Sequence, residues 1–488
     1  MIDCTTMLVP AKERSNIEAQ SVCGSPGAER LRRARFAALT GAPFLFIVIL
    51  LVRYAVNVPY QDQWDMIPLL DKAYSGGLSL SELWAPHNEH RIFFPQLIML
   101  GLARLTHWNI GYELALNLVL ALALLMVFVW QIRATTGALP LGEWYKLVPA
   151  VSLVVFSASQ YQNWLWGFQS ALFLNMLAAT AGILLLAQRG FSWKRFILAT
   201  ALGVVATFSF ATGVAFWPVG LLLMLVSTRG RQRFAAVLAW LALSGFAIGL
   251  FFYHFNVAGS ASVRTALSSP LECIRFLLKY TGGIVAQYPG GDISFAGKFA
   301  LIFGAGAITV TVWSVRKLIR MGTVDWVTLL PYLGFSLYSL GSGSLAAVGR
   351  VCLGSDQAAS SRYCTMVVPF WISLMVFLFL LLKSPPGRAE TDFAARKKTV
   401  RWCFVGAVVL LVLGSGLALD GASRLSVRQT SGRDALLNLA RNPTARFDYG
   451  QLFALYPKLN VVVERYPVLK VRRLSLFSDE ARRGAGNH

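Results

Sequence analysis

Two short stretches hold side chains suited to proton transfer. Asp62 and Asp65 stand three apart in YQDQWD, so on a helix they share one face. Further on, WAPHNEHR packs His87, Glu89, His90 and Arg91 together, in a chain only 14% charged. A carboxylate that is partly desolvated gains basicity and becomes a candidate general base. A guanidinium grips phosphate through two parallel hydrogen bonds. Tyr60, Trp64, Trp84, Phe93, Phe94 and Trp108 surround these groups in sequence. Such rings stack on sugar faces, or simply mark a membrane interface. Each group also has a plainer role. The two acids suit helix caps, and the His–Glu–His–Arg cluster suits a salt-bridged loop. Zinc held by His87, His90 and a carboxylate would lack the support of a cysteine pair or an HExxH helix, so no metal is expected. A second basic group lies late in the chain. AVGRVCLGSDQAASSRYCT sets Arg350, Arg362 and Tyr363 among small residues, where backbone also approaches phosphate closely. Arg362 serves equally well as a side chain snorkelling to the interface. Lys298 is a further cation before this loop.

The elements that must position these groups are apolar. The chain has 488 residues, of which 56% are hydrophobic, and a mean hydropathy of +0.57. Long apolar runs alternate with short basic gaps, the pattern of an all-α polytopic membrane protein. Candidate spans are 36–56, 110–131, 146–160, 166–188, 196–209, 212–227, 234–255, 296–316, 326–342, 363–383 and 401–419, about eleven in all. Those at 146–160, 196–209 and 212–227 are short. The net charge of +22 then marks cytoplasmic loops and lipid contact rather than nucleic acid. Basic residues fall at alternate gaps: Arg30, Arg32, Arg33 and Arg35; Arg133; Arg189, Lys194 and Arg195; Arg229, Arg231 and Arg233; Arg316, Lys317 and Arg320; Arg388, Arg396, Lys397 and Lys398. The intervening gaps include SQYQNW and FSFATG, which have no Lys or Arg. The positive-inside rule makes the basic set cytoplasmic.

Residues 57–109, 256–295, 343–362 and 420–488 then lie outside the cytoplasm. Three regions follow: a cytoplasmic tail 1–35, a membrane module 36–420 with a long first outer loop, and an outer C-terminal cap 421–488. The basic residues before the first span suit an uncleaved signal anchor. Residues 92–106 read as an amphipathic helix lying in the interface, and 270–291 as a lid over a lipid-access groove. Six cysteines show no metal spacing. Cys352 and Cys364 share one outer loop and are two unpaired thiols or a disulfide.

A first span followed by acids, a His-bearing element, an amphipathic helix and short apolar hairpins resembles the GT-C superfamily of integral-membrane glycosyltransferases. The lipid A aminoarabinose transferases and protein O-mannosyltransferases belong to that superfamily. The D-x-x-D, NEHR and SRY elements at Asp62–Asp65, Asn88–Arg91 and Ser361–Tyr363 carry the likeness, over the architecture of residues 36–420. It implies transfer of a sugar from a polyprenyl-phosphate carrier to a lipid, glycan or protein acceptor outside the cytoplasm, with inversion and no cofactor. The family's first-loop catalytic acid falls on Asp62 or Asp65. Substrate contacts fall on His87, Glu89, His90, Arg91, Lys298, Arg350, Arg362 and Tyr363. The implied location is the bacterial inner membrane with the active site facing the periplasm. Two departures matter: the acids are not adjacent, and His-Asn-Glu-His-Arg stands where many members have a His-Pro-Pro-like element. The competing classes are a flippase or transporter, which favours ionisable groups inside spans and repeated halves, and a surface-polysaccharide polymerase.

Overall fold

Inside lipid every backbone N–H and C=O must be satisfied within the protein, so apolar runs of this length become helices. The computed structural model describes residues 26–136, 141–228, 230–254, 263–288, 292–322, 324–385, 392–442 and 449–478. Most of the expected N-terminal tail, together with Arg229 and Arg388, lies outside the described residues. In chain order the helices are α1 (Pro26–Tyr54), α2 (Ile67–Ser75), α3 (Leu80–Trp84), α4 (Phe93–Thr106), α5 (Ile110–Thr136), α6 (Leu141–Val155), α7 (Tyr161–Trp164), α8 (Ser170–Leu186) and α9 (Trp193–Thr207). There follow α10 (Phe216–Ser227), α11 (Arg231–Phe252), α12 (Val263–Ser268), α13 (Pro270–Gly282), α14 (Ile293–Met321), α15 (Trp326–Arg350), α16 (Cys364–Lys383), α17 (Phe393–Arg441) and α18 (Leu459–Val471). No strand is present among the described residues.

Among the described residues, seven helical stretches are long and apolar enough to cross a membrane: Arg30–Tyr54, Ile110–Thr135, Gly167–Leu186, Gln232–Phe252, Ile293–Met321, Ser361–Lys383 and Phe393–Arg441. The chain is therefore an all-α protein of membrane type. The other apolar segments named from the sequence also fall on helices: α6, α9, α10 and α15. α16 has no charged residue before its final Lys383 and is buried on all sides, as a uniformly apolar helix at the centre of a bundle must be. Large apolar side chains on the outer helices point outward instead, among them Ile49, Val119, Phe246, Ile302 and Leu413.

The gaps of the other set meet one another. Phe94 N–H donates to Phe208 O (3.3 Å), Ala211 N–H to His90 Nδ1 (3.2 Å) and Gln429 Nε2 to Leu165 O (3.2 Å). Glu89 pairs likewise with Arg350. Two gaps of the basic set meet in turn through the Arg189–Asp325 ion pair.

Three expectations change. The cationic run Arg30–Arg35 belongs to the exposed first turns of α1, which starts at Pro26, rather than to a tail. Residues 270–282 are not a loose lid. Phe276, Tyr280, Thr281 and Gly282 of α13 are buried against α14. A β-carbon on Gly282 would land on the carbonyl oxygen of Ala300, so only glycine permits this crossing. The boundary at 420/421 lies inside α17, whose 49 residues span roughly 70 Å at 1.5 Å each. That is more than twice a hydrocarbon core of about 30 Å. The C-terminal region therefore begins as an extension of the last apolar helix. Cys364 is a free, buried thiol, so no Cys352–Cys364 bridge forms.

Candidate functional site

The acids sit on a short 3-10 turn, Gln61–Met66, just beyond α1. Several contacts fix it. Gln63 Oε1 accepts from Tyr60 N–H (3.1 Å), and Gln63 Nε2 donates to Glu113 Oε2 (2.6 Å). Trp108 Nε1 donates to the other Glu113 oxygen (2.8 Å). Trp64 is fully buried and donates to Pro59 O (2.9 Å). Buried polar groups cost little only when paired, and this network is paired throughout. Gly167 packs on Glu113 where any side chain would collide with the carboxylate.

The turn separates the two acids. Asp65 is tied to the C-terminal region: Arg465 Nη1 lies 2.6 Å from Oδ1, and Tyr456 Oη donates to Oδ2 at 2.9 Å. Burial, then the nearby Asp65 charge, pushes the Tyr456 hydroxyl up to about 12, so it stays a donor. Asp62 has no such tether. Its Oδ2 lies 3.9 Å from His87 Nε2.

The histidines face it from a tight hairpin. His87 and His90 exchange both backbone hydrogen bonds (2.8 and 2.9 Å), with Asn88 at φ 51 in the turn. Asn tolerates that left-handed conformation better than most residues. The His90 ring stacks on Phe210, centroids 4.1 Å apart, and His87 packs on Phe168 at 5.3 Å. Burial drives the His90 imidazole down to about 4, helped by His87 and opposed by Asp62. It is neutral at physiological pH, and its Nδ1 accepts from Ala211.

The late cations arrive from the other side of the bundle. Asn163 Nδ2 donates to Arg362 O (3.0 Å) and Thr365 Oγ1 (2.7 Å), and Ser361 Oγ donates to Ser159 O (2.7 Å). These bonds fix residues 361–365 against the 157–164 turn. Arg362 stacks over Tyr363 with its guanidinium carbon 5.2 Å from the ring centre, and touches Gln357 Oε1 at 3.5 Å.

Between these elements lies a cavity of about 120 Å³. Asp62, Glu89, His90, Arg350, Arg362 and Tyr363 line it, facing an aromatic wall of Trp166, Phe168 and Phe210. Three buried nitrogens in or beside it, Trp166 Nε1, Arg362 Nε and His87 Nε2, have no protein hydrogen-bond partner. An unpaired buried donor is expensive, and one explanation for it is a ligand.

Six of the residues named from sequence therefore meet at one cavity, and His87 stands behind Asp62. Three do not line it. Asp65 is committed to Arg465 and Tyr456. Lys298 is exposed on α14, outside this cavity. Arg91 is 2% exposed and donates to Phe251 O (2.7 Å), Trp84 O (2.5 Å) and Tyr253 O. It caps the carbonyl end of α11, where a cation is favoured. Three of its five N–H groups are spent on backbone carbonyls, and it does not line the cavity. Sequence reading missed Gln63, Glu113, Trp166, Phe168, Tyr456 and Arg465. Only Glu113 carried a signal, as a lone acid opening an apolar run.

Asp62, Asp65 and His87 each offer one oxygen or nitrogen within 4.8 Å of the others, a spacing that suits a divalent cation. Arg465 already neutralises Asp65, which weakens that donor set. No protein-family model matches the chain, and no curated protein does.

Proposed function

We propose that the protein is a membrane glycosyltransferase of the GT-C type, moving a sugar from a polyprenyl-phosphate carrier to an acceptor hydroxyl. The observation that carries this reading is the cavity where the untethered Asp62 faces an aromatic wall and two arginines. Asp62 takes the proton of the acceptor hydroxyl. The freed oxygen attacks the anomeric carbon as the bond to the carrier phosphate breaks, with inversion. The phosphate leaves as an anion and needs cations rather than a strong acid. Arg362 is the better placed of the two, since Glu89 already neutralises much of the Arg350 charge. His87 orients Asp62, and neutral His90 holds the hairpin through Phe210 and Ala211. Trp166 and Phe168 offer flat faces to the sugar.

The same reading takes eleven spans, the basic gaps in the cytoplasm and the cavity facing the periplasm of a bacterial inner membrane. The acceptor is a lipid, glycan or protein. Transport and flipping gain no support from buried charge. Glu113 is at the start of α5 and is spent on Gln63 and Trp108.

The test is release of free polyprenyl phosphate from a sugar-loaded carrier by purified protein. Asp62→Asn keeps shape and removes basicity, so turnover should fall about 10²–10⁴-fold with unchanged folding. Near-normal turnover in that variant would sink the assignment.

A further inference from the structure

A second cavity, of about 270 Å³, is lined in part by residues adjacent in sequence to those of the first. Tyr60 and the segment Ala359–Ser361 line it, and Arg362 and Tyr363 line the first, so one stretch of backbone walls both. Its far side is α17, which contributes Arg424 and Arg428. Gln162, Gln287 and Ser360 add amide and hydroxyl groups.

The charge balance there favours an anion. Arg424 Nη2 pairs with Asp420 Oδ2 at 2.6 Å, one turn back on the same helix. Arg428 has no carboxylate partner among the described residues. Asp292 is the only acid among the described lining residues, and its Oδ1 is taken by the N–H groups of Ser294 (2.9 Å) and Phe295 (3.2 Å). The Arg428 and Arg362 charges both act on the Tyr60 hydroxyl. A bound anion would therefore lie in a field set by three guanidinium groups.

The cavity is continuous with an apolar path. Tyr288, at its mouth, packs on Phe295 (centroids 4.3 Å), Phe295 on Phe299 (4.9 Å) and Phe299 on Phe303 (6.4 Å). This ladder runs down α14. Phe295, Phe299 and Ile302 expose 38%, 43% and 65% of their surface, and Leu413 and Leu417 of α17 expose 57% and 40%. Ala418 and Leu417 mark the end of the apolar part of α17, with Arg424 and Arg428 one to three turns beyond. Head-group chemistry thus sits just above a lipid-facing apolar track.

We infer that this second cavity binds the phosphate of a polyprenyl phosphate, gripped by Arg424 and Arg428, with its isoprenoid chain along the Phe295–Phe299–Ile302 face of α14. The inference rests on the transferase reading only for the identity of the lipid. It adds a place where the carrier phosphate docks from the bilayer, apart from the cavity that Asp62 lines.

The probe is radiolabelled farnesyl phosphate, titrated onto the full-length protein in phosphatidylcholine nanodiscs. Farnesol and inorganic phosphate serve as competitors. Arg428 is exposed and Arg424 holds only an exposed same-helix pair, so Arg424→Gln/Arg428→Gln should fold, as thermal unfolding would verify. The double variant should weaken farnesyl phosphate binding by about tenfold to a hundredfold, the loss of charge-assisted hydrogen bonds. Farnesol and inorganic phosphate should each compete at least about tenfold less well, because each offers half of the recognised group. Unchanged affinity in the double variant would overturn the inference. So would loss confined to Arg362→Ala, which would put the phosphate in the first cavity. Equal competition by farnesol would leave only an apolar site, and equal competition by inorganic phosphate only a free-anion site. Asp62→Asn should bind normally. Full turnover in that variant would defeat the transferase reading without touching this result.

Discussion

Exchange of Asp65 for Asn should weaken the fold more than the chemistry. Asp65 accepts from Arg465 at 2.6 Å and from Tyr456 at 2.9 Å, and Arg465 also donates to Trp64 O at 2.8 Å. The amide of Asn keeps one acceptor and turns an NH₂ group towards the other donor. Hydrogen bonds to a buried charge are worth about 1.5–3 kcal/mol each, while exposed ion pairs give about 0.2–1 kcal/mol. Here the side chains are 25% and 26% exposed, so the loss lies between, at about 1–2 kcal/mol. Arg465→Gln should cost a similar amount. The double variant should cost less than the sum, with a coupling of about 1 kcal/mol. Unfolding in detergent, followed by tryptophan fluorescence, reads these differences. Carrier-phosphate release, measured on the same samples, should fall less than about tenfold for Asp65→Asn, against about 10²–10⁴-fold for Asp62→Asn. If Asp65→Asn were as inactive as Asp62→Asn while retaining wild-type stability and zero coupling to Arg465, Asp65 would be the base and the tether argument would fail.

Further outcomes follow from other contacts. His90 is held neutral, so between about pH 4 and its ordinary 6.5 the unfolded chain binds more protons than the folded one. Stability should be full above about pH 6.5 and decline towards pH 4 by up to about 3 kcal/mol. His90→Gln should flatten that slope, and an unaltered pH profile would count against it. Arg91→Gln should lower unfolding stability by about 3 kcal/mol through three lost carbonyl contacts while leaving farnesyl phosphate affinity alone; reduced affinity at unchanged stability would restore Arg91 to the substrate site. Gly282→Ala should cost about 2–3 kcal/mol, since the backbone of α14 has nowhere to go, and an unchanged melting temperature would contradict the crossing. A cysteine at Ser79, in a background without native cysteines, should react with a membrane-impermeant reagent in intact spheroplasts. Labelling only after lysis would reverse the orientation.

The apolar helices were legible because their signal is local: about 20 greasy residues need no partner to be recognised. The extent of α17 was readable too, but only past the hydropathy. Its polar half, from Asp420 on, meets no proline before Asn442-Pro443, and a helix stops best there. What could not be read was the different tethering of Asp62 and Asp65. The groups that decide it, Tyr456 and Arg465, lie 391 and 400 residues away. Two of the three acceptors of Arg91 are likewise more than 150 residues distant. Arg424 and Arg428 look, in sequence, like ordinary charges on a solvated helix. Only the approach of α17 to the 359–361 segment gives them a cavity.

The crowding of charge between His87 and Arg91 then has a physical cause. A two-residue turn sends neighbouring side chains in different directions, so adjacent residues reach different parts of the bundle. His87 points at Asp62, and Glu89 at Arg350 on α15. His90 meets Phe210, and Arg91 the end of α11. One hairpin thereby locks two helices, presents His90 to the cavity and sets His87 behind Asp62. The knot and the active-site wall are not rival readings of the stretch, because they apply to different residues within it. Variants at Glu89 and Arg91 should therefore show their effect first in unfolding. A variant at His87, whose Nε2 has no partner to lose, should show it first in turnover. The same order of effects at all three positions would mean that the hairpin acts as a single structural unit, and that Asp62 is not oriented from it.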